Sequence, residues 1–388
     1  MIDFTGLETR PAQTWGAMRL VPLVRREPIE DLRLHALMYD EFAAVSLPDR
    51  SYYTSYIPHA FVASWTEDGT PAAAYGTRIG DPGPHMPIRT RRRMDRGMAR
   101  RVDRNRLRFL PLHLALEGFL ALHFGGPVIA WEEWSRQAVA NGLSPRAEAA
   151  YSGAEVRGLE DALKVFEIYP GQCGLLLYTA DALACAFVVP HPEDYRLLHP
   201  TLVDDLFGDL IYEYALLHPA RDFPAVIDES RVSSLSDLRD QAGLREREWA
   251  EFHDSVMTGG LLRAPARVEE VHRMGRFTLS RFLPSFERKA DNHIGETITD
   301  GDGRLAYLKT FRLSEQQSRR GYLLSRLHEH EWSMSGTAAA LGISEPELGM
   351  RIKRAGFGHL LRQDVLDLYR KALNERSRRT RRGGAASR

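Results

Sequence analysis

The chain has little of what most often announces a chemistry. Two cysteines in 388 residues, Cys173 and Cys185, cannot build the bridged framework of a small secreted domain. No apolar run approaches the ~18 to 20 residues that a membrane-spanning helix needs, and no charged-then-apolar leader opens the sequence. The expectation is a cytoplasmic protein with no membrane partner. A glycine-rich phosphate loop and the Gly-x-Ser-x-Gly elbow of a serine hydrolase are both missing, and no internal repeat is visible. Lysine is scarce, with 5 against 47 arginines, and formal net charge is zero. The remaining composition, 43% hydrophobic and 27% charged, is that of an ordinary globular chain long enough for two or three domains.

Neutrality conceals local excess. Residues 89–108 carry ten arginines against Asp95 and Asp103, a local +8, and residues 376–388 carry six arginines and no acid, a local +6. The rest must then hold 0 − 8 − 6 = −14. Such asymmetry suits an anionic partner, although solvated loops in an arginine-rich sequence would look the same.

The clearest local pattern spans Trp332 to Gly356. Leu348, Ile352 and Ala355 recur at i, i+4 and i+7, so one face of a helix can pack against Ala338, Ala339 and Leu341 of a preceding helix. Gly342 permits a sharp turn between them. Ser344 with Glu347 reads as a capping box, and Pro346 falls in the first turn, where its missing N–H costs nothing. The stretch is similar to the Fis-type helix-turn-helix of bacterial transcription regulators, which implies DNA as a partner. In that arrangement Glu345, Glu347, Gly349, Met350, Arg351, Lys353 and Arg354 would be exposed. Met350, Arg351, Lys353 and Arg354 are then the expected DNA contacts, with Glu345 and Glu347 opposing phosphate approach. A helical pair that only packs, or that joins two copies into a homodimer, fits the same pattern.

Elsewhere, apolar runs of strand length suggest hairpins at residues 60–77, at 174–189 about Ala180-Asp181, and at 293–310 about Asp302-Gly303. Helical spacing is expected over 107–124, 131–141, 202–217 and 236–253, and everything after Ser314 reads as helix. The fold class is therefore α+β. A mixed domain of antiparallel hairpins and long helices covers 1–312, a helix-turn-helix domain covers 313–375, and a basic disordered tail covers 376–388.

Several segments together resemble the ARG-and-rhodanese-phosphatase-superfamily-associated proteins, second type: Pro11–Leu23, His113–Pro127, Ala184–Tyr195, Asn292–Glu296 and Tyr307–Ser314, with the helical C-terminus as part of the pattern. The resemblance implies work beside nucleotide or ADP-ribose processing and carries over no catalytic residue. With it in view, His191, Asp194, Asn292, His293 and Glu296, polar residues at expected strand ends, become candidate ligand contacts. Their spacing fits no metal-ligand pattern, and Pro190 and Pro192 equally suggest a rigid turn whose polar residues cap the next helix. Glu132 or Glu133 with His293 offers a ribose or glycosidic-bond alternative. The expected function is a binding or regulatory protein that contacts DNA and responds to a nucleotide or ADP-ribose derivative; an enzyme acting on such a derivative is the alternative.

Overall fold

Side chains on a strand alternate faces, and in the run of residues 173–178 that alternation sorts the core into two layers. Cys173, Leu175 and Leu177 join one buried cluster, while Leu176 and Tyr178 join another on the opposite face. The computed structural model describes residues 2–35, 164–179, 182–202, 226–253, 258, 261, 266–287 and 289–385. It also describes short strand segments between 44 and 109.

One nine-stranded sheet organises the described chain. Its strands are β1 (Leu7–Thr9), β2 (Gln13–Trp15), β3 (Met18–Arg25), β4 (Gln172–Thr179), β5 (Ala182–Val188), β6 (Ala266–Met274), β7 (Phe277–Pro284), β8 (His293–Thr299) and β9 (Leu305–Arg312). Their spatial order is β1-β3-β4-β5-β9-β8-β7-β6, and β2 shares the β1 edge of β3. Every pairing is antiparallel. Two meanders, β3-β4-β5 and β6-β7-β8-β9, thus meet where β5 lies beside β9. Smaller antiparallel pairings join Leu32–His35, Val62–Trp65 and Ala72–Ala73, then Ala44–Ser46, Tyr52–Ser55 and Thr77–Gly80, then Ala99–Arg101 and Leu107–Phe109. The three residues Leu107–Phe109 are strand where helix was expected, because they pair with the preceding segment. The rest of that helix, the 131–141 helix with Glu132 and Glu133, and most of the arginine run lie outside the described residues.

Helices α1 (Pro192–Leu202), α2 (Leu235–Phe252), α3 (Glu315–Glu329), α4 (Met334–Ala340), α5 (Glu345–Ile352) and α6 (Gln363–Ala385) complete the described fold. The start of α3 is fixed by a reciprocal cap: Gln317 N donates to Ser314 Oγ at 3.2 Å, and Ser314 N donates to Gln317 Oε1 at 2.9 Å. The turn after α4 closes as the sequence suggests. Ile343 N bonds Ala338 O at 3.0 Å, Gly342 N bonds Ala339 O at 3.1 Å, and Gly342 sits at φ 63°, where a side chain would be strained.

Two expectations change. Leu323, Leu324 and Leu327 of α3, Ala338 of α4, and Leu348 and Ile352 of α5 belong to one buried cluster with Leu175, Phe187 and Phe311 of the sheet. The boundary at 312/313 therefore crosses a shared hydrophobic core. Gly321 of α3 secures the junction, since a Cβ there would lie 2.3 Å from the Phe286 ring. The basic segment from 376 does not begin a separate tail either, because helix α6 carries it without a break to Ala385. Arginine is a good helix former, so a run of it prolongs an existing helix at little cost.

Candidate functional site

The five residues expected to line one ligand site fall into separate settings. Asp194 lies in the first turn of α1, opened by Pro192, and is 3% exposed. Arg33, from the strand Leu32–His35, donates to Asp194 Oδ1 from Nε at 3.1 Å and from Nη2 at 2.9 Å, and Leu34 N donates to Oδ2 at 3.2 Å. These bonds hold the Arg33 guanidinium more firmly protonated than usual. Asp194 thus ties a helix start to a strand 161 residues earlier. His191 stands 3.3 Å from Glu30 and accepts the Glu193 amide at 3.2 Å. His191 thus meets the first turn of α1 in the manner foreseen for this proline-flanked segment, whereas Asp194 is held by Arg33 and Leu34 and not by the amides of α1.

Asn292 closes the loop before β8. Its Nδ2 donates to the carbonyls of Glu287 and Ala290 at 2.9 and 3.0 Å. His293, 4% exposed, finds no hydrogen-bond partner for Nδ1 among the described residues. Burial pushes its pKa down to about 4, and Arg312 adds to the shift while Asp291 opposes it.

Glu296 belongs to an array that no local motif announced. It lies beside Arg281 of β7 and Lys309 of β9 in the strand register, and Tyr307 Oη donates to its Oε1 at 3.1 Å. Glu296 and Lys309 are each 1% exposed. Alternation places Lys309 on the face of Phe311, with Nζ 5.8 Å from that ring. Burial lowers the Lys309 pKa to about 8, partly offset by the Glu296 charge. A sequence signal did exist. Lys309, one of only five lysines, interrupts the otherwise apolar run Leu305–Leu308, and Glu296 interrupts Ile294–Ile298. Chemically the array sets a carboxylate that accepts the Tyr307 hydroxyl proton beside a buried ammonium stabilised by that carboxylate's charge.

A second polar chain runs through the layer between β4 and α1. Gln172 Nε2 donates to Tyr195 Oη at 2.9 Å, and Tyr195 Oη lies 3.1 Å from His199 Nδ1. The hydroxyl accepts from Gln172, and the tautomer of His199 sets which of Oη and Nδ1 donates in the second bond. Burial lowers the His199 pKa, opposed by a hydrogen bond to the Phe166 backbone. On the other face Tyr178 Oη meets His253 Nε2 at 2.6 Å beneath the stacked ring of Trp249. Cys173 and Cys185 are buried thiols, and burial raises the Cys173 pKa to about 11, far from the range of a reactive thiolate.

At the C-terminal end, Leu348, Gly349 and Ile352 form the buried side of α5. Gly349 was expected in the exposed set. It is instead covered by Tyr369 of α6, whose Cδ2 would lie 2.3 Å from an added Cβ. Arg351 and Arg354 are exposed, whereas Met350 and Lys353 are half-buried. Glu347 is drawn inward: Ser344 N and Oγ donate to its Oε2 at 2.9 and 3.0 Å, and Arg376 of α6 lies 3.6 Å from its Oε1. Those Ser344 bonds hold its pKa below the usual carboxylate range, with Arg376 and Arg351 contributing.

The model of the family designated ARPP-2 matches residues 2–275. The chain belongs to the ARPP-2 family. No curated protein and no solved structure matches it. The ARPP-2 match ends in the turn between β6 and β7, although the sheet continues to Arg312. It takes in His191, Asp194 and the Gln172–Tyr195–His199 chain. The resemblance read at Asn292–Glu296, at Tyr307–Ser314 and in the helical C-terminus lies beyond it, as does the Glu296–Lys309 array. Among the described residues no group of three or more His, Cys, Asp or Glu side chains is placed to hold a metal ion, and no helix is long and apolar enough to cross a membrane.

Proposed function

We propose that this ARPP-2 protein is a cytoplasmic DNA-binding regulator that meets the phosphate backbone through α5 and the basic flank of α6. The observation that carries the reading is the pairing of exposed Arg351 on α5, and exposed Arg354 in the turn Lys353–Phe357 that follows it, with a hydrogen-bonded Glu347. Taken alone, a carboxylate at the entering end of the helix argues against phosphate. Here Ser344 and Arg376 occupy it, so the guanidinium groups set the sign of the surface. Lys371 and Arg378 stand exposed on α6 and extend the cationic surface beyond α5. Met350 and Lys353 supply an apolar contact and a further charge at its border.

The test is fluorescence anisotropy of labelled genomic duplexes over a salt series. Binding should weaken steeply with salt, and Arg351→Ala and Arg354→Ala should each lower affinity and flatten the slope by about one phosphate contact. Unchanged affinity in the double variant would remove α5 from the interface. The link to a nucleotide or ADP-ribose derivative rests on the family resemblance alone. It is tested by thermal shift with ADP-ribose and NAD, since a ligand at a hundredfold excess over its Kd adds about 2.7 kcal/mol. Turnover of either compound would favour the enzyme alternative, and no shift with any member would leave DNA as the ligand.

A further inference from the structure

Strand β6 forms one edge of the nine-stranded sheet, and its pairing among the described strands is with β7 alone. Eight of its nine residues are exposed, including Val268 at 62%. A long exposed edge offers a row of unpaired backbone N–H and C=O groups to another strand.

The pairing to β7 is regular from Ala266↔Pro284 to Glu270↔Ser280 and then skips Val271. That bulge ends the stretch on which a second strand can lie flat, leaving Ala266, Arg267, Val268, Glu269 and Glu270. Beyond it, Arg273 Nε is bonded back to Glu270 Oε1 at 2.7 Å. Arg267 and Glu269, by contrast, make no ion pair among the described residues, and alternation puts both on one face.

We propose that two copies of the chain join through this stretch, antiparallel about a two-fold axis at Val268. In an antiparallel pair, opposed side chains share a face, so a two-fold must pass through a residue opposed to its own copy. An axis at Arg267 opposes arginine to arginine, and an axis at Glu269 opposes glutamate to glutamate. Only Val268 opposes valine to valine and flanks it with Arg267 facing the partner's Glu269, twice by symmetry. The stretch is self-complementary in that one register, and the dimer doubles the nine-stranded sheet.

Sedimentation equilibrium tests the arrangement. Wild-type protein should approach twice the 44.0 kDa chain mass. Arg267→Glu and Glu269→Arg each set like charges opposite one another at two places, and each variant should self-associate roughly tenfold or more weakly while keeping the wild-type circular dichroism. Mixing the two variants should restore the dimer, because Glu at 267 of one then faces Arg at 269 of the other. Amides of residues 266–270 should exchange more slowly in the wild type than in either variant alone. A wild-type mass of one chain at every concentration, open-ended assemblies, single variants that stay dimeric, or a mixture that does not associate would each overturn the proposal.

Discussion

The Arg33–Asp194 tie separates a structural role for Asp194 from a ligand-binding one. Asp194 accepts three guanidinium bonds and the Leu34 amide while 3% exposed. A hydrogen bond to a charged group contributes about 1.5–3 kcal/mol, and breaking a fully buried ion pair costs about 3–5 kcal/mol. The Arg33 side chain is 40% exposed, which screens its share and brings the coupling between the two to about 2 kcal/mol. Asp194→Ala should cost about 3 kcal/mol, since the Leu34 amide also loses its acceptor. Arg33→Met should cost at least as much, because it leaves the buried Asp194 carboxylate with only the Leu34 amide. Urea unfolding of the wild type, both single variants and the double variant gives the coupling directly. A coupling under about 0.5 kcal/mol would sink the reasoning. So would an Asp194→Ala variant of native stability, which would return Asp194 to the ligand candidates.

Gly349→Ala should displace Tyr369 or tilt α6, because the new methyl meets the ring at 2.3 Å; a loss of about 1–3 kcal/mol is expected, relieved by Tyr369→Ala. His293 sets an acid limit. Its folded pKa of about 4 lies below the ~6.5 of an unfolded histidine. The unfolded chain therefore takes up the proton first, and stability present above pH ~6.5 is lost as pH falls toward about 4, by roughly 3 kcal/mol. Chemical unfolding across that window should show the slope in wild type and a flatter one in His293→Leu; equal slopes would refute the assignment.

Much of the local structure was legible because it depends on neighbours in sequence. The hairpins β4-β5 and β8-β9 carry apolar runs of strand length, and the Ser344–Glu347 cap lies within one helical turn. Strand β6 gave no such signal. Its residues are held by pairing to β7 rather than by burial, so hydrophobic alternation is faint. Helix α1 was not legible, because Pro192 opens a first turn that apolar spacing does not mark, and the helix expected over 202–217 lies, Leu202 apart, outside the described residues. The candidate site was legible only as single residues. Both His191 and Glu296 were expected at strand ends, but Glu296 stands in the middle of β8; the partner of Asp194 is 161 residues away and that of Glu296 lies across a strand pair. Strand register decides the second and the docking of α1 on Leu32–His35 the first, and a single sequence states neither.

The seam between β5 and β9 consists of four residue pairs, from Cys185↔Phe311 to Val188↔Leu308. It is the one backbone ladder between the two meanders among the described strands. A chain severed between β5 and β6 would therefore yield two pieces, each with an intact meander and one bare margin that matches the other. Pulled across its width, the sheet has its shortest ladder between meanders there, so that is where the molecule would part like a perforated page.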